Sequence, residues 1–329
     1  MRFGALTTVG DAPRSATSAT ARVVLVLALA LFAGAAGAQS MYKYRGSDGE
    51  WIYSDRPPGD GSKAEQLSLQ QGARRMGVRV TESIVAGTMT VTAHNAFYAP
   101  VELALEIERI GGIAYPDPDQ ELRWVLPPRS DTNVLGLPLL ENGSAPVLEY
   151  QYRYVAGDPA ARHQPPGPYR APFAIASSYP VTQAYPQVAT HTTPDSYFAI
   201  DIAMPIGTDV FAARDGIVFD VAGKNFSNGL DPVRDGPNAN VVRILHDDGT
   251  YALYAHLNTN TIRVKPGDHV QRGQYIADSG NTGYSSGPHL HFAVIRNSGL
   301  RPESVPVTFQ GPQEGSSITP TAGTLLTAY

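Results

Sequence analysis

The sequence predicts an all-β protein. Three observations carry that expectation. Short stretches alternate apolar and polar residues, turn formers break them up, and the C-terminal half shows no convincing helical period. With 32 glycines and 27 prolines the chain is well supplied with turns. Its 329 residues exceed one ordinary domain and predict two or three. A net charge of −5 argues against nucleic acid as a partner, which would favour a basic face. There is no cysteine, so no disulfide can staple the fold and no lipid-bearing cysteine can anchor it.

The elements follow in order. Arg14 and Arg22 precede the apolar run Val23–Phe32, and Ala36-Gly37-Ala38 supplies a small-x-small cleavage site. Residues 1–38 therefore read as a signal peptide, which predicts export and no membrane span after cleavage. Residues 39–72 read as a small hairpin module and linker. Two aromatic stretches between Met41 and Pro58 flank Ser47-Asp48-Gly49, a hairpin turn signal. This stretch resembles a small module of unknown function from exported bacterial proteins. Its aromatics are expected to pack the module rather than bind glycan. Residues 59–74 are polar and read as a linker with room for a short helix.

Residues 73–172 are expected to form a β-sandwich. Val101–Glu108 alternates apolar and mostly polar residues, and Leu148, Tyr150, Tyr152 and Tyr154 share one face opposite Glu149, Gln151 and Arg153. His94 and His163 stand isolated, so this domain reads as a spacer or docking unit. The stretch 156–180, rich in Pro, Ala and Gly, reads as a connection. Residues 173–308 make the C-terminal β domain, and residues 309–329 are expected to be a flexible tail.

The chemistry lies in that C-terminal domain. In His289-Leu290-His291-Phe292, strand alternation sends both histidines to one side and Leu290 and Phe292 into a core. Paired imidazoles on a strand can hold a metal and place a proton carrier beside it. Within Tyr197–Ala203, Asp201 shares a face with Ala199 and Ala203, small neighbours that allow close approach. His246 and His269 adjoin turn residues Asp247 and Asp268 and read as surface histidines. Tyr197 reads equally as a substrate-facing hydroxyl or a buried ring. The long polar stretch Lys224–Asn238 reads as a loop lining a groove.

Three motifs in order, Tyr254-Ala255-His256-Leu257, Ser279-Gly280-Asn281-Thr282-Gly283 and Gly287-Pro288-His289-Leu290-His291-Phe292, resemble those of the lysostaphin-type (LytM-like) zinc metallopeptidases that cut peptidoglycan. The stretches Asp201–Val210 and Ala213–Gly216 fit the same pattern, so the resemblance spans residues 187–298. It implies a lysostaphin-like antiparallel β metallopeptidase domain with one Zn2+. An upstream histidine, Asp201 and His291 would bind the metal, with His289 as leading general base and His256 assisting it or stabilising the oxyanion. The family's first histidine usually stands four residues before the aspartate, where this chain has Tyr197. His191 is the nearest upstream histidine and is the expected ligand. The implied function is an exported, periplasmic zinc endopeptidase acting on peptidoglycan stem-peptide crosslinks, D-alanyl-diaminopimelate bonds above all. A cell-wall or divisome protein is a conceivable partner. The alternative is an inactive relative that binds and activates other cell-wall hydrolases.

Overall fold

The computed structural model describes residues 10–11, 40–45, 51–54, 58, 63–68, 76–115, 121–141 and 144–329. Strands are their dominant regular element. Among the described residues the one helical element is a 3-10 turn, Gly236–Asn238, and no helix is long and apolar enough to cross a membrane. The expected signal peptide lies outside the described residues except for positions 10 and 11.

The chain divides into two compact units, Pro13–Arg75 and Met76–Tyr329 together with Met1–Ala12. In the smaller unit Ser40–Arg45 pairs antiparallel with Trp51–Ser54, as the hairpin signal predicts; the turn itself lies outside the described residues. The segment expected to be linker or short helix instead supplies a third strand, Glu65–Ser68, on the other edge of Ser40–Arg45. An open strand edge with unpaired backbone groups is a ready template for such an addition.

In the larger unit, a three-stranded and a four-stranded antiparallel layer form the N-terminal half. The first holds Val78–Val85, Thr88–Asn95 and Ser130–Pro138; the second runs Arg123–Leu126, Val101–Gly111, Val147–Ala156 and Gly10–Asp11. Alternation is plain in Thr88–Asn95, where Met89, Val91, Ala93 and Asn95 are buried and the residues between are not. The sandwich is no detached spacer. Its core continues through Phe219, Tyr251, Leu253, Ala293 and Ile295 on one face of the C-terminal sheet.

That sheet has nine strands, and its central pair, Tyr251–Ala255 and Leu290–Asn297, is covered on both faces. Leu253, Ala255, Ala293 and Ile295 face the sandwich, while Ala252, Tyr254, Leu290, Phe292 and Val294 face a second core. Ile200–Ile202 pairs beside Leu290–Asn297, and Ser178–Gln183 lies beyond it. The second core begins before the expected domain boundary, because Tyr169 and Ala171 belong to it along with Phe173.

Two expectations are corrected here. Residues 309–329 are not a loose tail. Phe309–Gln310 pairs with Ser317–Ile318, Leu325–Thr327 adds to the sheet edge at Ser178–Pro180, and Phe309, Leu326 and Ala328 are buried. Polar and glycine residues between these anchors hide the few apolar ones that pack. His246 is not a surface residue either. It is 3 % exposed, and its Nδ1 lies 2.7 Å from the Asp215 carbonyl. The turn at Asp247-Asp248-Gly249 is as expected, with Gly249 at φ 80° and no room for a Cβ against Ala161.

Candidate metal centre

Backbone register brings the predicted residues together. Asp201 stands opposite His291 across one strand pair, and Ala255 stands opposite His291 across the other. His291 is thus central, with Asp201 on one side and the end of Tyr251–Ala255 on the other. His289 sits one residue ahead of its strand, bridged to Gly280. Its Nε2 lies 3.7 Å from Asp201 Oδ1, and His291 Nδ1 lies 2.9 Å from the same oxygen. Both imidazoles face the carboxylate, as strand alternation predicts.

His256 follows the last residue of its strand and takes the left-handed conformation, φ 62°. Continued extended backbone would send its side chain away from that of His291's neighbours. The left-handed turn aims it into the site, with ring centroids 4.5 Å from His289 and 6.0 Å from His291. Such backbone costs a non-glycine residue roughly 1–2 kcal/mol.

His191 arrives on the loop between Gln183 and Asp201. It is fully buried, with its Nε2 3.2 Å from Asp201 Oδ2 and its ring 4.9 Å from that of His291. The loop's far half is tied to Ser304, whose N–H and hydroxyl both donate to the Pro194 carbonyl.

Backbone carbonyls fix the tautomers. His191 Nδ1 donates to Ala199 O at 3.1 Å, His256 Nδ1 to Thr282 O at 2.6 Å, and His289 Nδ1 to Gly287 O at 2.8 Å. A carbonyl only accepts, so in each neutral ring the hydrogen sits on Nδ1 and the lone pair on Nε2. At His191 that lone-pair nitrogen is buried without a hydrogen-bond partner and faces a carboxylate oxygen. Two electron-rich atoms at this distance call for a cation between them.

Among the described residues, His191, Asp201 and His291 form a group whose ligand atoms all lie within 4.8 Å of one another. Bonds of about 2.0–2.1 Å in a tetrahedron set ligand atoms roughly 3.3 Å apart. The 3.2 Å from His191 to Asp201 Oδ2 and the 2.9 Å from His291 to Asp201 Oδ1 are each near that length, one at each carboxylate oxygen. Two imidazoles and one carboxylate are also a donor set that zinc accepts, so the residues present fit the ion. The electrostatics agree. Burial alone would raise the Asp201 carboxyl, but His191, His291 and His289 outweigh it and hold the group well below the usual carboxylate range. Burial pushes His291 down to about 4 and His256 down to about 3, so both stay neutral near pH 7.

Beside the group runs a cleft of about 420 Å3. Thr182, Gln183, Thr190, Leu230, Tyr284 and His289 are among the residues that line it. A larger cavity of about 1500 Å3, lined by Tyr169, Asp215, His246 and Arg272, contains none of the five predicted site residues. The chemistry therefore belongs to the smaller cleft. Leu230 comes from the long stretch Lys224–Asn238, which lines the groove as expected. Asn228–Gly229 of that stretch pairs in parallel with Gly283–Tyr284, and the Asn240 side chain grips Asn225 from both its backbone groups. Tyr197 is 43 % exposed and packs against Tyr185 and Phe198, outside the cleft's lining.

Several contributors were not legible as such. Thr282 lies inside a quoted motif, yet only the folded chain shows its carbonyl holding His256. Ser285 contacts His289 Nδ1 at 3.2 Å, and Gln183 bonds Asp201 Oδ2 at 2.6 Å. Neither carried a sequence signal beyond its polarity.

Comparison with known proteins agrees with this geometry. Residues 196–302 match the model of Peptidase family M23, and residues 27–75 match a domain of unknown function, DUF4124. His191 falls ahead of the first match. Peptidoglycan DD-endopeptidase ShyA of Vibrio cholerae is 36% identical over 149 residues, 44% of this chain and 30% of that protein. Glycyl-glycine endopeptidase ALE-1 of Staphylococcus capitis is 33% identical over 103 residues, 31% of this chain and 25% of that protein. Lysostaphin of Staphylococcus simulans is 35% identical over 103 residues, 31% of this chain and 18% of that protein. The chain thus spans less than a third of the length of each of these relatives. The family match takes in Asp201 and His291 of the histidine–aspartate–histidine group, and residues 196–302 of this chain are a Peptidase family M23 domain.

Proposed function

We propose that this chain is an exported, periplasmic zinc endopeptidase that hydrolyses the peptide crosslinks of peptidoglycan, D-alanyl-diaminopimelate bonds in particular. The observation that carries this reading is the meeting of His191, Asp201 and His291 beside two further imidazoles at one wall of an open cleft. The relative named as a peptidoglycan DD-endopeptidase supplies the substrate class. His191, Asp201 and His291 would hold one zinc ion, leaving a fourth position open. When bound, zinc polarises a carbonyl and makes water acidic enough to attack near neutral pH.

The protein's own groups do the rest. His289 presents its Nε2 lone pair beside Asp201, with Gly287 O holding the ring in that tautomer. It takes the proton from the attacking water and returns it to the leaving amine. His256, held by Thr282 O, likewise offers an acceptor nitrogen in its neutral form. That tautomer favours assistance in proton transfer over donation to an oxyanion. Leu230 and Tyr284 would flank the peptide as it enters.

Digestion of purified crosslinked muropeptides, read by mass spectrometry, tests the reading. We expect release of uncrosslinked products, loss of release with chelator and recovery with zinc. Binding without cleavage by the zinc-loaded protein would instead support the regulator. The place of His191, with its Nε2 3.2 Å from Asp201, supports the enzyme over the regulator.

A further inference from the structure

We propose that Gln183 is a positioning residue of the metal centre: its side-chain amide bridges the loop that delivers His191 to the carboxylate of Asp201. This rests on the metallopeptidase reading and concerns the long loop that carries His191. His191 and Asp201 are ten positions apart, and no regular element spans them. Something else must set their relative position.

Gln183 has the geometry to do so. It ends the strand Ser178–Gln183, directly opposite Asp201, at a register shift between Val181 and Gln183. Such irregularities re-aim a side chain that regular pleating would place elsewhere. Gln183 Oε1 accepts from the backbone N–H groups of Ala189 and Thr190, at 2.8 and 2.9 Å. Those groups can only donate, so the amide oxygen is the atom that accepts from them, and the amide nitrogen is left to donate. Gln183 Nε2 then donates to Asp201 Oδ2 at 2.6 Å and to Thr190 Oγ1 at 3.0 Å. One side chain thereby orders the segment next to His191 and orients the carboxylate that His191 faces. Its side-chain hydrogen bonds go to the loop and to Asp201, so its action passes through the ligands.

Gln183→Met removes donor and acceptor at nearly constant volume. The exposed neighbour Gln187, whose side chain makes none of these contacts, provides the control Gln187→Met. Three readouts apply to the full chain: zinc affinity by chelator competition, the visible absorption of the cobalt-substituted protein, and amide exchange at Ala189 and Thr190. Loss of an outer partner of a metal ligand typically costs about 10–100-fold in affinity. That loss is expected for Gln183→Met, with a shifted cobalt spectrum and faster exchange at Ala189 and Thr190, while Gln187→Met matches the parent. Zinc affinity within twofold of the parent would overturn the proposal. Should the parent itself take up no zinc, the metallopeptidase reading falls and exchange alone decides: faster exchange in Gln183→Met upholds the bridge, and unchanged exchange overturns it. Gln183→Asn, one methylene shorter, serves if the methionine variant does not fold.

Discussion

The residue that best separates chemistry from scaffold is His256. Its left-handed φ of 62° is a conformation that glycine adopts without penalty and alanine does not. His256→Gly and His256→Ala should both lose activity, yet the glycine variant should be the more stable by about 1 kcal/mol in urea unfolding. Equal stability would mean that the backbone there is not strained. The motif around His256 was legible in the sequence; its backbone conformation was not, because it depends on where Thr282 lies. His246 shows the same limit. Its neighbours Asp247 and Asp248 read as a turn at the surface, while the ring itself is sealed beneath that turn. Burial holds it at about 4 against an ordinary 6.5. A folded state that refuses a proton the unfolded chain accepts is fully stabilised above about pH 6.5 and loses that stability as pH falls towards about 4. The effect amounts to about 3 kcal/mol. Urea midpoints of the metal-free protein should therefore fall on acidification, and less steeply in His246→Gln. Identical slopes would remove His246 as a contributor.

At the scale of elements, the strands around the site were the most legible part. Alternation in His289–Phe292 correctly assigns which side chains enter the core and which face Asp201, because a strand buried in a sheet leaves no other register open. The frayed tail and the linker strand were illegible for a complementary reason. Leu325–Thr327 and Glu65–Ser68 owe their order to a neighbouring edge rather than to their own pattern. Glu102 belongs here too: period-two alternation placed it among polar positions, but its carboxylate is buried against the turn after Leu290–Asn297. The Lys224–Asn238 stretch was recognisable as a groove-lining loop by length alone. Leu230 is 70 % exposed at the cleft, which suits contact with a ligand better than support of the fold. Leu230→Ser should raise KM for muropeptides several-fold with kcat and zinc content little changed. A fall in kcat at constant KM would move Leu230 from binding to the chemical step.

Over the whole molecule, the sandwich and the C-terminal sheet share a core and a buried polar joint. Glu102, 1 % exposed, accepts from Asn297 Nδ2 at 2.7 Å and from Leu300 N at 2.6 Å. Arg123 stands 3.5 Å away. Removing the carboxylate strands these donors, at a cost of about 1–3 kcal/mol for each left unsatisfied. Glu102→Leu should destabilise residues 76–329 as one cooperative transition; two separated transitions would show that the halves unfold independently. This joint ties the sandwich to the end of the strand that begins at Leu290, next to the paired histidines.

The central claim is that His191, Asp201 and His291 grip one ion, and metal analysis of the purified chain beside His191→Ala tests it most directly. The account predicts one zinc per parent chain and its loss in the variant. Equal zinc in both proteins would contradict it.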